Sequence, residues 1–191
     1  MRDGEELGQA IATGPISGAE LLEMIDTNCT YEEAKARSAE RTRINALAEK
    51  VMGRPVEQWP AFEVVWTDDP ARYYWTFDGA DPAAVNPDEY RLGAGVDLAK
   101  IDAALTKYWH RRADEVWTVG DPRKAARIII HWSEGVHMTP AMVVPTADSK
   151  NLTLAGGNHR LAVARAKGVA LVPILFRVEH EEQVLSLLGL D

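Results

Sequence analysis

The stretch from Leu152 to Phe176 constrains this chain more than any other. Leu152-Thr153-Leu154-Ala155 reads as a short strand, Gly156-Gly157 as a tight turn, and Asn158 to Lys167 as a helix closed by Gly168. Val169-Ala170-Leu171-Val172-Pro173-Ile174-Leu175-Phe176 then reads as an apolar strand. Strand, helix and strand in that order call for a sheet with helices packed against it. The expected class is therefore α/β (α+β), a small mixed sheet with helices.

The residues just before this unit fit the same plan. Asp121-Pro122 opens a helix with proline at its favoured first position, and Ala125, Ile128, Ile129 and Trp132 recur at helical spacing. Gly135 ends it, and Met138 to Pro145 is expected to be extended. Val116-Trp117-Thr118-Val119 reads as a short strand ahead of that helix, and Glu181 to Leu188 as an amphipathic closing helix.

Residues 1–115 read as an N-terminal extension that is first helical and then rich in aromatics, with the sheet domain at 116–191. Ser17 caps an expected short helix through Ile25, with Leu21, Leu22 and Ile25 on one side. Thr30, with Glu33 three residues on, predicts a capping box for a helix from Tyr31 to Met52, stopped by Gly53 and Pro55. Phe62 to Trp66 and Arg72 to Phe77 read as two strands around Asp68-Asp69-Pro70. Asp78 to Gly95 reads as a loop, and Leu98 to Arg112 as a helix. Five of the six tryptophans fall between Trp59 and Trp117 and are expected mainly in the core.

At 191 residues the chain is long enough to bury a substantial core. No apolar run approaches the roughly 20 residues that span a bilayer, so no membrane partner is expected. The acidic lead Met1-Arg2-Asp3-Gly4-Glu5-Glu6 is not expected to act as a secretory signal, and a cytoplasmic location is the simplest reading. Cys29 is the only cysteine, which excludes internal disulfides and a thiolate metal cage.

Charge narrows the function. A net charge of −8 argues against a broad DNA-binding face. Yet Arg123, Lys124, Arg127, Lys150, Arg160, Arg165 and Lys167 face only Asp121, Glu134 and Asp148 between residues 121 and 168. Such a positive island suits a local anion site. A solvated helix face explains the same charges equally well.

Gly156-Gly157-Asn158-His159-Arg160 lies within that island. A strand entering a helix through glycines presents backbone N–H groups and the positive end of the helix dipole to an anion. Asn158 stands where an N-cap is expected, and His159 and Arg160 fall in the first helical turn. The same residues also make a plain β–α turn, with Asn158 capping, His159 on a carbonyl and Arg160 paired to an acid.

Asp121-Pro122-Arg123-Lys124, Ser133-Glu134-Gly135, Thr139-Pro140, Ala155-Gly156-Gly157-Asn158-His159-Arg160-Leu161-Ala162-Val163-Ala164, Gly168 and Val172-Pro173-Ile174 together resemble the ParB/sulfiredoxin superfamily over about a third of the chain. The resemblance implies a nucleotide (ATP, ADP or CTP) with Mg²⁺ as cofactor. It implies phosphate contacts from Lys124, Thr139, Gly156, Gly157, Asn158, His159 and Arg160. Catalysis would draw on His159 with Glu134 or Asp121 as base or Mg²⁺ carboxylate, and no dedicated protein metal site is expected.

The departures from the family pattern matter as much. Asn158 stands where sulfiredoxins carry a reactive cysteine, and an amide cannot replace a thiolate, so sulfinic acid reduction is excluded. The related serine kinases have an aspartate where Gly156 stands. Partition proteins continue into a helix-turn-helix, which is not expected here. Two functions therefore stand side by side. One is a nucleotide-binding phosphotransferase or NTP hydrolase. The other is a non-catalytic module that meets a protein or nucleic-acid-associated partner through the acidic N-terminal region. His131 and His137 flank the Gly135 turn and read as surface or packing residues.

Overall fold

The computed structural model describes Met24, residues 29–77 and residues 81–190. The expected helix from Ser17 to Ile25 falls almost wholly outside them. The chain divides into two compact units, Met1–Arg43 and Ile44–Asp191.

In the first unit the described residues form most of the opening turns of α1 (Tyr31–Val51). The capping box forms as the sequence implies. The Thr30 N–H donates to the Glu33 carboxylate at 2.8 Å, and the Glu33 N–H donates back to the Thr30 hydroxyl at 3.4 Å. The helix stops before Gly53, which takes φ +75°.

The second unit is a mixed α/β fold. Its elements are β1 (Tyr90–Asp97), α2 (Leu98–Ala104), α3 (Pro122–Ser133), β2 (Ala141–Pro145), β3 (Leu152–Gly156), α4 (Asn158–Ala166), β4 (Leu171–Arg177) and α5 (Glu181–Leu188). The four strands form one sheet in the order β1-β4-β2-β3. β4 runs parallel to β2 and antiparallel to β1, and β2 and β3 are antiparallel.

Strand side chains alternate between two faces, and the core follows that period. Val96, Ala141, Val143, Leu152, Leu154, Val172, Ile174 and Phe176 share one face with Ile101, Leu105, Leu161, Val184 and Leu188 from the helical side. Tyr90, Met142 and Leu175 point to the other face, where Tyr73 joins them. The far side of α4, through Ala162 and Val163, packs with α3 and with Trp59. The Arg165 Nε–H donates to Asp102 at 2.9 Å, so α4 is also tied to α2.

Several local expectations need correction. Phe62 to Trp66 forms only an isolated bridge, Trp66 to Met138, and residues 70–76 coil into a 3₁₀ helix instead of a strand. The Asp69 carboxylate accepts the Ala71 N–H and Pro70 sits at the first position. That start commits the segment to turns, and the buried pair Tyr73 and Thr76 has the three-residue spacing of a 3₁₀ helix. Val116 to Val119 is likewise no strand, because Ala113–Thr118 is a 3₁₀ helix whose Glu115 carboxylate caps the Arg112 N–H.

Residues 90–95, expected as loop, belong to edge strand β1. A register shift between Gly93 and Val96, with Gly95 at φ +64°, bends this strand and explains its loop-like composition. The expected helix from Leu98 to Arg112 ends at Ala104. There Leu105 turns extended to bridge Leu152, and the Thr106 N–H donates to the Leu152 carbonyl at 2.9 Å.

The tryptophans are chiefly structural. Trp59 and Trp132 are buried, and Trp66, Trp109 and Trp117 pack against the core clusters. The Trp132 indole N–H donates to the Val65 carbonyl at 2.8 Å. Trp75 is the exception at 46% exposed. No helix among the described residues is long and apolar enough to cross a membrane.

Candidate functional site

Strand β3 leads into α4 through Gly157, which adopts φ +86° and ψ +9° and is itself the N-cap. Asn158 is therefore the first helical residue and not the cap, a correction to the sequence reading. A left-handed residue turns the chain sharply enough to start the helix one position earlier. No side chain caps α4, and its first intrahelical bond runs from the Leu161 N–H to the Gly157 carbonyl at 3.0 Å. The backbone N–H groups of 158–160 thus point out of the helix start, at the positive end of its dipole.

Both glycines are also demanded by packing. A Cβ on Gly156 would lie 2.2 Å from the Thr76 carbonyl oxygen, and one on Gly157 2.6 Å from the Ala141 Cα. The turn is thereby pressed between the 70–76 helix and β2. The Thr76 hydroxyl in turn donates to the Pro140 carbonyl at 3.3 Å.

Arg160 turns inward. It is 7% exposed, and one guanidinium nitrogen donates to both the carbonyl and the hydroxyl oxygen of Thr139, itself 1% exposed. The fold therefore joins two of the expected phosphate-binding residues to each other, just before β2 begins.

His159 is half-buried and its Nε2 is shut away from solvent. It lies under Gly120, where an added Cβ would sit 3.0 Å from Nε2. This contact brings the start of α3 to α4. Asp121, the next residue, caps α3 by accepting the Arg123 N–H at 2.9 Å, and Lys124 lies half-buried in the same first turn. Glu134 is the exposed C-cap of the same 12-residue helix. At 1.5 Å per residue, Asp121 and Glu134 are about 20 Å apart along the axis, so they do not share one site.

The described residues contain no group of three or more His, Cys, Asp or Glu side chains placed to hold a metal. A Mg²⁺ ion takes one or two carboxylates and otherwise phosphate oxygens and water. Asp121 fits that modest need through the oxygen not used in capping.

Thr76 and Gly120 were not legible as parts of this region. Gly120 carries a signal only in retrospect, as a glycine directly before the Asp121-Pro122 helix start. No family model matches the chain, and no curated protein or solved structure matches it.

Proposed function

We propose that this chain binds a nucleotide through its phosphates at the start of α4, in the manner the ParB/sulfiredoxin resemblance implies. The observation that carries this reading is the left-handed Gly157 cap. It leaves the first turn of α4 without a capping side chain, beside a half-buried His159 and the Lys124-bearing turn of α3. Backbone N–H groups and the helix dipole would hold the phosphates, with Asn158, His159 and Lys124 as side-chain donors. Arg160 would act through Thr139, fixing the entrance to β2. Asp121 would be the residue to hold Mg²⁺, which when bound would supply charge neutralisation at a transferring phosphoryl group.

A second reading, a binding module without turnover, is favoured by two observations. The Thr76 carbonyl already covers Gly156, and Glu134 lies at the far end of α3 from Asp121. In that reading the acidic N-terminal region meets a protein partner.

Calorimetry with ATP, ADP and CTP in the presence of Mg²⁺ tests the proposal. Binding that Lys124→Gln weakens by about tenfold or more, as loss of a charged hydrogen bond does, supports it. Absence of binding by all three nucleotides overturns it. If binding holds, phosphate release that Asp121→Asn abolishes separates the enzyme from the module.

A further inference from the structure

A cavity of about 540 Å³ opens between the 67–72 segment and the turn after α3. Thr67, Asp69, Arg72, Gly135, Val136 and His137 line it. Its two walls are tied together by the backbone. The Thr67 N–H donates to the Met138 carbonyl at 2.9 Å, and the Met138 N–H donates to the Val65 carbonyl at 3.2 Å. The volume is in the range that holds a small organic ligand and exceeds what a bare ion needs.

The donors on these walls keep capacity to give further hydrogen bonds. The Arg72 guanidinium stacks on the Trp75 ring at 5.1 Å and lies 3.7 Å from the Asp69 carboxylate. Among the described residues it makes no side-chain hydrogen bond, and neither does the His137 ring. The buried Thr67 side chain accepts the Asp69 N–H at 3.2 Å, which leaves its O–H to give. Three residues that can donate, from two distant parts of the sequence, thus line one space, with the Arg72 guanidinium set over the Trp75 ring.

The charges decide which ligand they suit. Asp69 is committed to the Ala71 N–H and balances Arg72, while Asp68 and Glu134 lie next to lining residues in the sequence. The cavity therefore offers an excess of donors without an excess of positive charge. Such a site accepts a singly charged oxyanion better than a phosphate dianion. A guanidinium fork matches a carboxylate in shape. We propose that this cavity is a binding site for a small organic carboxylate, held by Arg72, His137 and Thr67. It needs nothing from the nucleotide reading.

The test is an NMR titration of the full chain with benzoate and with acetate, following the histidine rings at fixed pH. Inorganic phosphate serves as the comparison. The proposal expects a saturable shift of the His137 ring, larger than any at His110 or His180. Arg72→Gln should weaken benzoate binding by about tenfold, the value of one charged hydrogen bond, without lowering the melting midpoint. Arg72→Lys should restore only part of it, since an ammonium lacks the fork. No saturable shift at His137 overturns the site, as does a shift unchanged by Arg72→Gln. Tighter binding of phosphate than of either carboxylate overturns the ligand class.

Discussion

Arg160, in the first turn of α4, donates from one nitrogen to both oxygens that Thr139 offers ahead of β2. A buried guanidinium satisfied in this way acts as a clamp between the helix and the start of β2, the strand paired with β3. Position 160 is then a stability position in its own right.

Removing the clamp should unfold the protein more easily. Arg160→Ala leaves a buried carbonyl and hydroxyl without their donor, and we expect a loss of about 2–3 kcal/mol in urea denaturation. Thr139→Val, which keeps the backbone carbonyl bond, should cost only about 1 kcal/mol. Equal losses from the two variants would contradict the geometry.

The two kinds of glycine should separate cleanly. Gly53→Ala meets nothing within 4 Å and carries only left-handed strain, so about 1 kcal/mol is expected. Gly156→Ala drives a methyl group into the Thr76 backbone and should cost about 3 kcal/mol, at the upper end for overpacking. Denaturation midpoints of the two variants decide it, and a milder effect at 156 than at 53 would refute the close approach.

This turn shows how much the sequence made legible. The strand, the two glycines and the helix from Asn158 were readable, because apolar runs and glycine punctuation are local signals. So were α3 with its Asp121 cap and α5. The contacts that press on the turn were not, since Thr76 and Gly120 reach it from 80 and 39 positions away as counted from Gly156 and His159. Aromatic runs misled for the same reason. Arg72 to Phe77 has the composition of a strand, and only the Asp69-Pro70 start betrays a 3₁₀ helix. In β1, glycines that serve a bulge read as loop. The cavity beside Arg72 joins segments about 65 residues apart, a separation no local pattern reports.

Acid should loosen the start of α1. The Thr30 backbone N–H and hydroxyl both donate to the Glu33 carboxylate, which holds its pKa below the ordinary 4.5. A depressed carboxylate contributes stability that is complete above the ordinary value and is lost as pH falls through the folded one. Amide exchange at Thr30 should therefore quicken, relative to intrinsic rates, as pH falls below 4.5. Glu33→Gln should flatten that dependence, and an unchanged acid limb in the variant would speak against the capping box.

The central claim is that a nucleotide sits by its phosphates at the start of α4, and backbone amides report this most directly. We would titrate ATP with Mg²⁺ into ¹⁵N-labelled protein and follow the N–H resonances of Gly157, Asn158, His159 and Arg160. The account predicts saturable shifts largest at these four and at Lys124, reduced in Lys124→Gln. Saturation with these amides unmoved, or no saturable shift anywhere, would contradict it and leave the Gly-Gly turn as a packed β–α connection.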